Sequence, residues 1–550
     1  MNAAVVCVAG IAVFAAGYWL YSGYLARRVF ALRPDEPVPA RERADGVDYV
    51  PTNRHVLLGH HYTSIAGAAP IIGPAIAVVW GWVPAVLWVV LGTVFMGAVH
   101  DMSTLVMSMR HDGRSVGHVV ADVIGPRTRT LFLLVIFCLV MLVTAVFAKA
   151  VAGLFVSYPG TVLPINFEIV VALAIGWACM KRGVPLLWPS IAALVALYAM
   201  VFVGVKVPIA LDFLGDHQTM FWIVFLLVYA LIASVLPVWV LLQPRDYINS
   251  HQLIVGLAAL IVGILIAHPA VQAPAFAVPP ADAPPWFPFL FVTIACGAIS
   301  GFHGLVSSGT TSKQIACATD ARLIGYGGMI GEGTLALVAT LAVSAGLGQW
   351  AAHYDSFAHA ATGGVGNFVE GASTFLGAVG IPAGAASVVV GVLVISFAAT
   401  TLDTGVRIQR YICHELGDIY GVRALRSRWI AAGVAVALPF ALIYAGQAGK
   451  LWVLFGASNQ LLAGLSLTVV AVWLYRTGRP WLPIVVPLVV VLAVAGASMA
   501  VKVSQLVRAG DFVLAALGTV VLALEAWVVL EGIAAVRRAR TLARAGEAAA

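Results

Sequence analysis

The sequence predicts an all-α polytopic membrane protein, and three observations predict it. Apolar side chains make up 61% of the 550 residues and charged ones 10%, with mean hydropathy +0.99, whereas a soluble protein is about 25% charged. Apolar runs of about 20 residues recur along the whole chain, each long enough to span a bilayer as a helix. Basic residues collect in alternate connections between those runs. This composition excludes a soluble enzyme, a disordered chain, a nucleic-acid binder and a disulfide scaffold, and it leaves no room for a separate catalytic or sensor domain.

About 15 transmembrane helices follow from the apolar runs. The first, 3–25, has no basic residue before its apolar core and is followed by Arg27 and Arg28. It reads as a membrane anchor with its N-terminus outside, not as a cleaved leader. A cytoplasmic loop reaches residue 63. The second span, 64–80, carries GHHYTSIAGAAPIIGPA at 59–75. Gly67, Pro70, Gly73 and Pro74 interrupt it, because proline removes a donor and glycine loosens the helix. A broken helix survives in hydrocarbon only when it is buried or lines a cavity; a kinked packing helix with small residues would look the same. His60 and His61 stand at its inner mouth. Neighbours on a helix point about 100° apart, a poor arrangement for one metal, and no metal site is expected.

Spans 84–109, 130–157, 165–180 and 188–206 follow, with Asp101 after His100 in the first and Lys149 in the second. Span 221–242 is broken by Pro237 and ends in QPRDYI, which puts Gln243, Arg245 and Asp246 at an inner mouth. After 251–267, the proline-rich stretch 268–285 reads as an external loop. Span 286–308 ends in ISGFHGLVSSGTTSKQ at 299–314, with Ser300, His303, Ser307, Ser308, Thr310, Thr311 and Lys313. Hydroxyls at this density can replace a cation's water shell or hold a carboxylate, and histidine titrates near neutral pH. Span 324–348 holds Glu332 within GEG. The Gly-rich segment 349–380 is a loop, a re-entrant segment or a short helix. Span 381–402 runs to Asp403 in TTLDT, which can pair with Arg407 at i+4. Spans 428–446, 451–475, 481–501 and 512–533 and a basic tail complete the chain, with Asn459 and Gln460 near the middle of 451–475.

With these spans alternating, 26 of the 31 basic residues fall inside; Lys206, Lys450, Lys502 and Arg508 fall outside, and Lys149 lies within a span. The N-terminus is therefore expected outside and the C-terminus in the cytoplasm. Lys149, Asp101, Glu332, Asp403 and Glu525 lie within or at the edges of apolar runs, where each costs about 2.5–3.5 kcal/mol on insertion scales and must face protein, water or a partner.

The motifs DGVDYVPTN (45–53), GHHYTSIAGAAPIIGP, QPRDY, SGFHGLVSSGTTSKQ, GEG, TTLDTGVRIQRY and LWVLFGASNQLLA (451–463), in this order, resemble the carbon starvation protein A (CstA) family of bacterial inner-membrane transporters. Two positions depart from the pattern: Ala69 where a glycine is expected, and His100 where a glutamine is expected. The resemblance implies uptake of pyruvate, or of short peptides, during carbon limitation, driven by a cation gradient (H+ or Na+).

The opposite polarity of spans 2 and 7 suggests an inverted five-plus-five repeat of the leucine-transporter type. Residues 64–402 then form a transport core, with repeats at about 64–206 and 221–402. The segment 1–63 is an N-terminal helix and loop, 403–427 a cytoplasmic segment, and 428–550 accessory helices and a basic tail. The carboxylate of a small-molecule substrate is expected near Gly67, Pro70, Gly73 and Pro74, with Ser300, His303, Ser307, Ser308, Asn459 and Gln460 completing its site. Thr310, Thr311, Lys149, Asp101, Asp403 and Glu332 are the expected ion or proton-coupling residues, and His60, His61, Gln243, Arg245, Asp246 and Lys313 the expected inner gate. No cofactor and no nucleic-acid partner are expected. A membrane-embedded enzyme would need a nucleophile–base pair or a metal motif, and none appears. A nutrient receptor would need an output domain.

Overall fold

The structure is a computed structural model that describes residues 1–446 and 451–549; Lys450, expected outside, lies beyond the described residues. Helix accounts for 81% of it. Twelve helices among the described residues are long and apolar enough to cross a membrane, thirteen if one bent pair counts as a span.

In chain order the helices are α1 Ala3–Val29, α2 Arg54–Ile65, α3 Ala69–Trp80 and α4 Trp82–Met109. Then come α5 Pro126–Ser157, α6 Val162–Arg182, α7 Leu187–Lys206, α8 Gln218–Val235 and α9 Leu242–Ala267. α10 Trp286–Thr293 and α11 Gly301–Gly309 are two halves of one path, followed by α12 Arg322–Gly346 and α13 Phe357–Ala378. α14 Ala383–Tyr420, α15 Arg428–Tyr444, α16 Leu451–Arg476, α17 Leu482–Arg508 and α18 Phe512–Ala549 close the chain.

Two paths through the membrane are interrupted. α2 and α3 bend by 46° across Ala66–Ala68. Ala66 leaves helical geometry at φ −74°, ψ 65°, and Pro70 in the first turn of α3 starts a new helix where its missing N–H costs nothing. The second interruption lies between α10 and α11, where Ile299 and Ser300 are both extended. The two paths run in opposite directions and press together at their breaks: a side chain at Gly73 would collide with the Thr293 carbonyl.

The remaining core helices pair around these two. α5 lies along α14; α8 and α15 pack on both and on each other. α9 packs on α2, and α16 on α10 and α11. The helix ends sort into two faces. On one, Asn2 bridges to Ala270 and Asp282 reaches Phe357. On the other, Thr52 bridges to Ile315, Arg476 bonds Asp122 and Arg479 bonds Phe30. That sorting matches the alternation read from the charges.

Several expected boundaries move. α2 begins at Arg54, so the 63/64 boundary cuts a helix and GHHYTS lies within the first half-helix. Pro237 does not break a helix: α8 has ended at Val235, and QPRDYI forms the first turns of α9. The second interrupted path is therefore 286–309, not 221–242, and repeats bounded at 64–206 and 221–402 do not begin on the two interrupted helices. α14 continues through residue 402 to Tyr420, so 403–427 is not a separate segment. The segment 349–380 is mostly helix, as α13.

Candidate functional site

The breaks supply the frame. Gly67 has no room for a side chain: a Cβ there would lie 2.7 Å from both Phe147 of α5 and the Thr401 hydroxyl of α14. Thr401 donates to the Ser64 carbonyl (3.2 Å), so it closes one of the backbone groups freed at the end of α2. Ser64 Oγ and Thr144 Oγ1 are buried here without a partner. Phe147 packs edge-on to Phe455 of α16, 6.2 Å between ring centres.

The second break is splinted by two adjacent amides of α16. Asn459 Oδ1 accepts the Phe302 N–H (2.9 Å), and its Nδ2 donates to Ser300 Oγ (2.9 Å). Gln460 Nε2 donates to the Phe291 carbonyl on the other side of the gap (2.7 Å). Ser300, Asn459 and Gln460, expected to touch substrate, therefore splint the interruption; apart from Gln460 Oε1, their polar groups are taken up by the backbone, by one another and by Cys296.

Beside the second break lies a buried histidine–carboxylate cluster. His303 Nδ1 is 3.1 Å from Asp101 Oδ2, and its Nε2 is 3.1 Å from Glu332 Oε2. His100 Nδ1 bonds the other Asp101 oxygen at 2.8 Å. All four side chains are fully buried. The His303–Glu332 contact is an ion-pair contact without hydrogen-bond alignment, so both Glu332 oxygens lack hydrogen-bond donors. A π-helical turn at Thr93–Gly97 just precedes His100 and Asp101, a deviation common at functional sites. The arrangement places His303 where it can carry a proton between two carboxylates contributed by different helices.

A second buried network lies toward the face where Thr52 bridges to Ile315. Arg245 pairs with Asp403 and with Asp246 (2.7 Å), and bonds the Tyr229 hydroxyl at 2.5 Å. Asp246 also bonds His60 Nδ1 (2.6 Å). One guanidinium thus ties α8, α9 and α14, and α2 joins it through Asp246. Adjacent to it, His61 pairs with Thr311 (2.9 Å) and Gln243 with Gln314 (2.9 Å), while Lys313 lies over the Tyr411 ring at 4.5 Å. A cleft of about 700 Å³ lies between α2, α9 and the segment entering α7, lined by Asn53, His55, Tyr62, Leu186, Ser250 and His251 among others.

Four expected roles do not survive this geometry. Lys149 is exposed on the outside of the bundle and reaches none of these groups. Asp403 pairs with Arg245 rather than Arg407, whose guanidinium bonds the carbonyls of Ala233 and Leu236 at the end of α8. Ser308 and Thr310 donate to carbonyls one turn back (2.7 and 2.9 Å), and Thr311 belongs to His61, so these hydroxyls form no common shell. Ser307 alone of that group keeps an unpartnered buried hydroxyl. Gly73 and Pro74 are packing positions of α3 rather than ligands. Among the described residues no group of three or more His, Cys, Asp or Glu is arranged to hold a metal ion. Sequence reasoning missed Tyr229, Asn249 and Glu168, of which only Glu168, a lone acid in an apolar run, carried a signal, and it took Thr400 and Thr401 only as part of the TTLDT motif.

The sequence model described as "Carbon starvation protein CstA" matches residues 2–356 and 345–498. The chain is similar to "Peptide transporter CstA" of Bacillus subtilis, 34% identical over 85% of this chain and 85% of the relative. It is similar to "Pyruvate/proton symporter BtsT" of Escherichia coli, 33% identical over 87% of this chain and 79% of the relative, and to "Peptide transporter CstA" of the same organism, 32% identical over 87% and 78%. Two solved structures share the fold: the Eremococcus coleocola manganese transporter in complex with a bis-isothiourea compound (TM-score 0.51, 11% identity, 90% of this chain and 99% of that one) and MhsT in complex with L-phenylalanine (TM-score 0.51, 12% identity, 89% and 99%). Both have the leucine-transporter fold.

Proposed function

The chain belongs to the carbon starvation protein CstA family, a family of membrane transporters, and from that premise we propose that it imports a small carboxylate, pyruvate foremost, together with protons. The observation that carries this reading is the meeting of two oppositely directed interrupted helices beside the His303–Asp101–Glu332 cluster. Broken helices at mid-membrane expose unpaired backbone groups and helix-dipole ends, which recognise carboxylates and ions without a buried side-chain charge. Here the first turn of α3 faces the break at Gly67, with Ser64 Oγ unpartnered beside it. A substrate carboxylate binds there, and His303 takes up the accompanying proton between Asp101 and Glu332. The Arg245 network closes the inner side while the site is loaded. The repeats run from α2 to α9 and from α10 to α16, with α6, α7 and α13 inserted. The protein sits in the bacterial inner membrane with its N-terminus outside and its C-terminus in the cytoplasm.

Uptake of labelled pyruvate into proteoliposomes under an inward proton gradient tests this, with dialanine and trialanine as competitors. Saturable pyruvate uptake that stops when the gradient is collapsed is expected. A second reading is short-peptide import, which the names of two of these relatives favour. Peptide uptake without pyruvate uptake would decide for it.

A further inference from the structure

One buried ionisable side chain has no place in the site above. Glu168 is the single acid of α6, whose other strongly polar side chains are Asn166 and, in its last turn, Lys181 and Arg182; α6 stands outside the paired core helices, and Glu168 is 3% exposed. Its Oε2 accepts a hydrogen bond from Ser396 Oγ of α14 (3.1 Å), while its Oε1 has no partner. Asn249 of α9 adjoins the same carboxyl group; its Nδ2 donates to Thr400 Oγ1 (3.2 Å), and its Oδ1 is also unpartnered. A buried carboxylate oxygen with no donor is stable only when the group holds a proton or finds a cation.

Arg245 lies one helical turn before Asn249 on α9, and it is already engaged by Asp246 of its own helix and by Asp403 of α14. The other groups that face this region are Tyr229 of α8 and His60 of α2, both within the Arg245 network. α7, packed on α6, brings only Tyr198 and, at its end, Lys206. Two carboxylates therefore hold the guanidinium, and a third, Glu168, stands one turn further along α9, beside Asn249, with no cation of its own.

We propose that Glu168 is a second protonation site of the transport cycle, wired to the inner gate through Arg245. With its proton on, Glu168 is neutral and Arg245 remains shared between Asp246 and Asp403, tying α9 to α14 beneath the break. When the proton leaves to the inner solution, a third carboxylate competes for Arg245, and the tie across α2, α9 and α14 loosens. The proton enters from water on the outer side and is released on the inner side; no bond other than O–H is made or broken. This rests on the proton-coupled reading above.

The test compares wild type, Glu168→Gln and Glu168→Asp in proteoliposomes with labelled pyruvate, or with dialanine if that is the solute carried. Two quantities are read: accumulation under an inward proton gradient, and counterflow exchange without a gradient as a function of pH. Glu168→Gln is expected to keep counterflow, lose its pH dependence and lose gradient-driven accumulation. Glu168→Asp is expected to keep both with a shifted pH profile. A Glu168→Gln protein that still follows the gradient beside a wild type that does so overturns this proposal alone. Loss of counterflow in both variants overturns it too, since Glu168 would then only hold helices together. A wild type indifferent to the gradient overturns the coupled reading, and this proposal with it.

Discussion

Asn459 and Lys149 show how differently single residues were legible. FGASNQLLAGL marks a polar pair in mid-span, and such amides need partners in hydrocarbon. What the sequence does not carry is that the partners are the Phe302 N–H and Phe291 carbonyl of a helix more than 150 residues away. Asn459→Ala leaves the Phe302 N–H and Ser300 Oγ open, and we expect a loss of about 1–3 kcal/mol in stability, read by thermal unfolding in detergent. Lys149 fell within an apolar run too, but a helix that is apolar on all sides gives no contrast from which to read the face a lysine takes. The structure places it outward, and Lys149→Ala should transport as wild type does; a lost proton dependence in that variant would contradict the outward placement. His303→Ala, by contrast, should abolish gradient-driven uptake while leaving the protein folded, as judged by size-exclusion elution. Asp403 was drawn to Arg407 by helical spacing, yet α9 offers it a closer guanidinium in Arg245, and Arg407 is used at the end of α8. Spacing along one helix cannot see a competitor on another.

At the scale of elements, the existence of most helices was readable from apolar runs, and their ends were not. α2 extends ten residues before the expected span because HHYTS is polar, and hydropathy stops where the chain turns polar even when that polar helix is buried among partners. The same bias cut α14 at residue 402. The interruption at Ile299–Ser300 had its glycines on display, yet Pro237 looked the stronger breaker; the chain satisfies Pro237 by placing it in a connection. The proline-rich external stretch proves to hold a cap. Asp282 accepts the Phe357 and Ala358 N–H groups (2.9 and 3.0 Å) at the start of α13, and those two donors hold its carboxyl below the ordinary range. A lowered carboxyl value means the cap is in force above the ordinary range, near pH 4, and fails as pH falls through the lowered value. Hydrogen exchange in the first turn of α13 should therefore speed up in Asp282→Ala at neutral pH, and in wild type only under acid conditions. Equal protection in both at neutral pH would show that the cap does not hold this turn.

For the whole molecule, the strongest constraint is that three helices share one buried guanidinium and a fourth joins it through Asp246. Removing it leaves Asp246 and Asp403 buried and uncompensated, so Arg245→Ala should cost about 3–5 kcal/mol, and Arg245→Lys should not restore the wild-type state because a lysine cannot bridge both acids in the same plane. The charge asymmetry also fixes a global expectation: a tag at residue 1 should be reached by an impermeant reagent from outside intact cells, and one after residue 549 should not. The family and membrane class were legible because long motifs and hydropathy survive without any knowledge of packing. The pairing of α5 with α14 and of α9 with α2 was not, because contacts between distant apolar helices leave no pattern in either one. The central claim is that solute passes at the junction of the two interrupted helices, and Ser64→Cys in a cysteine-free background addresses it directly. The rate at which a membrane-permeant thiol reagent modifies that cysteine should fall in the presence of pyruvate, or of dialanine if that is the solute carried. An unchanged rate in the presence of a solute that the same protein demonstrably transports would place the pathway elsewhere.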